Sequence, residues 1–230
     1  MKENDEFRLE EPYKIEKKHE FLSKYVLHQT DLFFLNSFCT EEIIIKNIPM
    51  ALQRTEQCVS SIVAWRSKGF DHLVSGQYAI FLYFLSNCIW KNYGDTAVAT
   101  HLFLLNKALN GIDLFYEIEM PRYFAIAHTV GMVFAKGKYG DYCAFHQGCT
   151  VGRDGTRIPT LESGVIMFPQ SMVIGHCLVR ENTVLAPGTK LINMDTPGNC
   201  FVFSGKSGRP IFKKLARYYA DEYFIRSDSV

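Results

Sequence analysis

The sequence lacks a dominant charge. Lysine and arginine together number 25 against 24 aspartates and glutamates, a formal net charge of +1, so no general electrostatic pull draws the chain to nucleic acid or an anionic membrane. It lacks a long apolar run, since the strongest one, Tyr78 to Trp90, falls short of the ~20 residues that a membrane-spanning helix needs. It opens MKENDEFRLEEPYKIEKKHE, acids and bases alternating, without the apolar centre of a signal peptide. It also lacks paired cysteines. Cys39, Cys58, Cys88, Cys143, Cys149, Cys177 and Cys200 contain no CxxC pair, which reads as buried reduced thiols and a cytoplasmic location. Histidines and cysteines show no metal-ligand spacing, so no metal site is expected.

What is present is globular. The 230 residues are 47% apolar and 21% charged, enough for one large or two modest hydrophobic cores. Up to about residue 110 the spacing is helical. Thr30 to Phe38 and Glu41 to Ile48 read as short helices. Pro49 suits the first turn of a third, in which Leu52, Val59, Ile62, Val63 and Arg66 recur at helical intervals before Gly69. Ser75 to Lys91 reads as a deeply buried helix ended by Asn92-Tyr93-Gly94. Asp95 or Thr96 would cap a further one, through Ala108 to Asn110-Gly111. The first ~25 residues are too charged to assign, and suit a mobile arm or an oligomer contact.

From Ala127 the period becomes six. After Thr160 the chain divides into LESGVI, MFPQSM, VIGHCL, VRENTV, LAPGTK and LIN. The first place holds Leu161, Met167, Val173, Val179, Leu185 and Leu191; the fifth holds Val165, Ser171, Cys177, Thr183 and Thr189. In the same frame Val133, Tyr139, Phe145 and Val151 lead the earlier sixes, interrupted only by Arg153 to Thr160. A β-sandwich would place turns every ~8–12 residues, whereas a strict six fits a parallel β-helix. The first-place residue then points inward and the small fifth-place residue sits under the bend.

With the repeats placed, residues ~110 to 214 resemble the hexapeptide-repeat acyltransferases, above all serine acetyltransferase and its sugar-modifying relatives. The matching segments are His128-Thr129-Val130-Gly131, like the family's His-x-x-Gly; FHQGCTVG, like its LQ-G-x-T-x-G-G; the loop Arg157-Ile158-Pro159; and TPGNCFVFSGKSGRP, like its closing segment. The helical half is similar in organisation only. The resemblance implies an α+β fold: an N-terminal α-helical domain (1–112), a left-handed parallel β-helix (113–214) and a C-terminal extension (215–230). It also implies a homotrimer that binds acetyl-CoA in grooves between coils, with no nucleic acid partner and no membrane span.

Acetyl transfer to a hydroxyl needs a base, because the hydroxyl pKa lies far above 7; no G-x-S-x-G nucleophile elbow is present. The resemblance makes His128 that base. It also implies an upstream carboxylate holding the ring, with Glu117 the first choice, Glu119 the second and Asp113 the third; the alternative for each is a solvated side chain. His146 points outward from its hexad, either toward the acceptor or into a trimer contact, while His176 reads as surface. Arg153 and Arg157, on the loop resembling the family's active-site loop, are candidate acceptor-binding residues through their forks of donors. Ser171, Gly188, Thr189, Lys190 and Lys213 are candidate coenzyme A contacts, with Lys214 as a further counter-charge. Gly205-Lys206-Ser207 resembles the end of a P-loop, but Cys200 stands where that motif needs glycine.

The function expected is acetyl-CoA-dependent O-acetyl transfer to a small hydroxyl compound, a sugar or sugar nucleotide for surface polysaccharide. Serine acetylation comes second, because Ile158 and Ala127 replace the histidine and the acid that the family uses around serine. A non-catalytic trimeric β-helix scaffold is the alternative from another class.

Overall fold

A computed structural model describes residues 11–35, 41–206 and 208–226. Cys39, the end of the Thr30–Phe38 reading, Ser207 and residues 1–10 and 227–230 lie outside them.

Among the described residues four helices come first: α1 (Glu11–Phe34), α2 (Glu41–Ser61), α3 (Ser75–Tyr93) and α4 (Thr96–Asn110). The charged start is therefore no arm from Glu11 onward. It is the first part of α1, which buries Leu22, Ser23, Val26 and Thr30 at intervals of one turn. Pro49 lies inside α2 rather than at a helix start. Its missing N–H costs one hydrogen bond, set against the burial of Ile44, Ile48, Ala51, Leu52 and Val59 on the two sides of it. α2 also stops at Ser61, before Gly69, because the chain turns to pair with the C-terminal segment. Ile62 bridges Phe224, and the Val63 N–H donates to the Tyr223 carbonyl at 2.8 Å. α3 is buried from Gly76 to Ile89, as expected of a helix apolar all round. Asp95 caps α4, accepting from the Ala97 and Val98 N–H groups, and Gly111 closes it in the left-handed conformation.

Past Gly111 the chain winds into coils. β1 (Ile112–Leu114) starts them. The first full coil is β2 (Phe124–Ala127), β3 (Met132–Phe134) and β4 (Lys138–Tyr139). The second is β5 (Cys143–His146), β6 (Thr150–Gly152) and β7 (Thr160–Leu161), and the third β8 (Ile166–Met167), β9 (Met172–Ile174) and β10 (Leu178–Val179). Then come β11 (Thr183–Leu185), β12 (Lys190–Ile192), β13 (Cys200–Ser204) and β14 (Pro210–Lys214). Each strand pairs in parallel with its counterpart one coil away, except the closing β13–β14 hairpin. Three faces result: face I is β1-β3-β6-β9-β12, face II is β4-β7-β10, and face III is β2-β5-β8-β11-β13-β14.

The hexad frame holds from Tyr139 onward. Every first-place residue from Leu161 to Leu191 is 0–1% exposed, and every fifth-place residue from Val165 to Thr189 is 0–2% exposed. Each inward aliphatic side chain removes about 1.5–3 kcal/mol worth of apolar surface from water. Val133 breaks the frame. It is 43% exposed, and its neighbours Met132 and Phe134 fill the core instead, because only the next residue, Phe134, registers with inward Val151.

Helices and coils share one hydrophobic core that includes Phe81, Phe84, Phe124 and Phe145. A Cβ at Gly76 would meet the Ile126 carbonyl at 2.5 Å, so glycine lets α3 lie directly on β2. A second apolar layer covers the outer side of face III. Ala125, Ala144, Ile166 and Val184 pack there against Ala220 and Phe224 of the C-terminal segment. The described cysteines Cys58, Cys88, Cys143, Cys149, Cys177 and Cys200 are buried and free, and burial pushes Cys58 and Cys143 up to about 12. Among the described residues no helix is long and apolar enough to cross a membrane.

Candidate active site

His128 sits at the edge where face III turns into face I. Ala127 pairs with His146, and Val133 pairs with Thr150. Five residues join the two positions in the lower coil and three in the upper one. The lower corner is thus two residues longer, which lifts His128 out of the coil. Its backbone is left-handed, φ 57°, a conformation uncommon outside glycine, and its side chain is exposed. Gly131, Gly148, Gln170 and Gly188 stack up the same edge, joined by backbone bonds such as Gly148 N–H to Val130 O and Gly188 N–H to Pro169 O.

The three candidate carboxylates are not brought to this histidine. Glu117 bonds Lys136, Glu119 bonds Lys91 at 2.7 Å, and Asp113 bonds Lys107 at 2.7 Å. The cause is local. Tyr83 donates to the Ile118 carbonyl at 2.5 Å and accepts from the Met120 N–H at 3.0 Å, while Asn87 donates to the Tyr116 carbonyl at 2.7 Å. Tyr116, Ile118 and Met120 are pinned inward, so Glu117 and Glu119 are left to surface lysines.

His146 is the polar group that does come close. Its strand partner is Ala127, the residue before His128. Its ring stacks on Phe168, centroids 5.1 Å apart, and its Nε2 lies 2.9 Å from the Tyr223 hydroxyl. Burial, and then the nearby His128, lower its pKa below the ordinary 6.5, so the neutral ring is favoured. The next residue, Gln147, keeps a buried amide oxygen without a hydrogen-bond partner among the described residues. An unmatched acceptor of this kind costs about 1–3 kcal/mol. Gln147 and Tyr223 are not among the residues that the sequence pattern marks as candidates. For Tyr223 the available signal was the aromatic density of YYADEYF.

The remaining candidates separate. Ser171 and Thr189 are 0% and 1% exposed inside the coil. The Ser171 hydroxyl lies 3.6 Å from Cys149 Sγ, and Thr189 bonds the Val202 carbonyl. They occupy the space under the bend, so they do not offer themselves to a coenzyme outside the coil. Gly188 is exposed on the edge that carries His128, and Lys190 is exposed on face I. Lys213 is exposed on β14, its ammonium 5.3 Å from the centre of the Phe203 ring. The loop of Arg153 and Arg157 lies where face I turns into face II, the other edge from His128. Arg157 is ion-paired within that loop to Asp154. Arg153 and Lys136 flank a groove of about 210 Å³ lined by Phe115, Ile118, Phe134 and Ala135. Among the described residues no group of three or more histidines, cysteines or acids is placed to hold a metal.

Compared with solved structures, the architecture matches serine acetyltransferase from Vibrio cholerae with a TM-score of 0.66 at 17% identity, over 78% of this chain and 74% of that one. It matches serine acetyltransferase from Brucella abortus with a TM-score of 0.64 at 19% identity, over 85% and 86%. This chain has the serine acetyltransferase fold. Its coil is the left-handed parallel β-helix of hexapeptide-repeat acyltransferases, preceded by the same kind of helical region. In sequence it is 30% identical over 118 residues to a serine acetyltransferase of Synechococcus elongatus, 49% of this chain and 48% of that protein. The chain thus aligns with about half the length of that relative. No protein-family model matches it.

Proposed function

We propose that this protein is an acetyl-CoA-dependent O-acetyltransferase, with His128 as general base and serine as the hydroxyl acceptor. The observation that carries the reading is the lengthened corner that projects His128, in a chain 30% identical over 118 residues to a serine acetyltransferase. The imidazole takes the acceptor's hydroxyl proton as the oxygen attacks the acetyl carbonyl. The C–S bond then breaks, and the departing thiolate recovers a proton from the imidazolium. No acyl-enzyme is needed. Gly188, on the edge of His128, and the cations Lys190, Lys213 and Arg153 are the candidates for holding coenzyme A, a role for which Ser171 and Thr189 are too buried.

The acceptor reading departs from the sugar-type acceptor expected from sequence. The relatives are serine acetyltransferases, and the Arg157 fork meant to grip a sugar-nucleotide phosphate is already paired with Asp154. Ala127 and Ile158 still leave fewer charged contacts for a zwitterion, and the unpartnered Gln147 oxygen is the candidate acceptor for its ammonium.

A homotrimer belongs to the same proposal. Within one chain, His128 and the Arg153–Pro159 loop stand at opposite edges of face I, so a second copy is what would bring the loop to the base. Thiol release from acetyl-CoA, measured against serine, free sugars and nucleotide sugars, tests the reading.

A further inference from the structure

The C-terminal segment is tied down at both ends of its course. Asn182 accepts from the Tyr219 N–H at 2.8 Å and donates to the Arg217 carbonyl at 3.0 Å, and Tyr218 donates to Ser163 at 3.2 Å. Farther on, the Ile225 N–H donates to the Ser61 carbonyl at 2.8 Å, and Phe224, 2% exposed, bridges Ile62 at the end of α2. Gly164 is the point of close approach. A Cβ there would collide with the Tyr218 hydroxyl, and its φ of 70° suits glycine. The segment thus straps the outside of face III to the helices. Along it the Tyr223 hydroxyl reaches His146.

We propose that Tyr223 is a positioning residue: it fixes the His146 ring beside His128, so that His146 orients the acceptor and the C-terminal strap becomes a working part of the site. This inference rests on the acetyl-transfer reading. The ring is held on two sides, by Phe168 stacked at an interplanar angle of 20° and by the Tyr223 hydroxyl at Nε2. Nδ1 has no partner among the described residues, which leaves one polar ring atom for a ligand. Ala127, one rung below, is too small to cover it. Clamping a ring before the acceptor arrives avoids the cost of ordering it during binding. A hydroxyl in the wrong rotation near a base attacks poorly, so a fixed second contact is worth rate as well as affinity.

The test is a double-mutant cycle of Tyr223→Phe and His146→Ala, with kcat and KM measured separately for acceptor and acetyl-CoA. Tyr223→Phe keeps the aromatic packing and removes one hydroxyl. Losing one hydrogen bond of ordinary strength should raise the acceptor KM about 3–10-fold, with the acetyl-CoA KM and the melting temperature nearly unchanged. His146→Ala should do at least as much, and adding Tyr223→Phe to it should do nothing more, because the two act through one contact. An unchanged acceptor KM in Tyr223→Phe, or effects that add in the double variant, overturns the proposal while leaving acetyl transfer standing. A wild-type chain that releases no thiol with any acceptor overturns both.

Discussion

Ala127 and His146 are register partners on adjacent coils of face III, so an imidazole rises beside the methyl group that precedes His128. The pairing gathers two histidines, one exposed and one half-buried, at a single edge of the β-helix. It also ranks the candidates, because none of the three upstream carboxylates is free of a lysine.

His128→Ala should lower kcat by about 10²–10⁴-fold, the usual worth of a general base, with the melting temperature within a degree or two of wild type. Glu117→Gln should change kcat by less than about threefold, since it breaks an exposed pair with Lys136 of the kind that contributes little. Steady-state thiol release for both variants checks this, and a loss of about tenfold or more in Glu117→Gln would make Glu117 the orienting acid after all.

His146 carries a pH signature. Burial and the His128 charge lower its pKa from 6.5, so the folded state resists a proton that the unfolded chain accepts. Its contribution to stability is whole above about pH 6.5 and is lost as pH falls through the lowered value. Melting curves from about pH 7.5 down to 5 should therefore fall less steeply for His146→Gln than for wild type. Parallel curves would contradict the lowered value.

Fifth-place residues should not accept bulk. Ser171 and Thr183 are each 0% exposed, and the Thr183 hydroxyl is bonded to the Arg180 carbonyl. Ser171→Phe and Thr183→Trp should each destabilise by about 1–3 kcal/mol through overpacking of the bend. Denaturant titrations that place both variants at the wild-type midpoint would speak against the six-residue frame.

Light scattering at micromolar concentration should report about three times the chain mass of 26.4 kDa. A 26.4 kDa particle with full activity would leave the Arg153–Pro159 loop without a route to His128.

How much of this was legible in the sequence depended on periodicity. Leu161 to Leu191 announce themselves every six residues because each coil repeats one demand, an inward aliphatic over another. α1 did not, since among its described side chains Leu22 and Val26 are the apolar ones fully buried, and its charges mask the stripe. Pro49 misled because local geometry favours it at a first turn, while the packing of Ile48 and Leu52 outweighs one lost hydrogen bond. The site was legible as far as His128. Glu117 was read from its neighbours in sequence, and nothing there reveals that Tyr83 and Asn87 would fix the backbone and turn it toward Lys136. Tyr223 lies 77 residues from His146, a pairing that no local pattern encodes.

The most direct test is thiol release from acetyl-CoA by wild type and His128→Ala, with serine and a panel of nucleotide sugars as acceptors. The account predicts release that depends on serine, exceeds that with any nucleotide sugar by about a hundredfold in kcat/KM, and collapses in His128→Ala. Efficient acetylation of a nucleotide sugar with serine inert would contradict the acceptor, and release indifferent to His128→Ala would contradict the site.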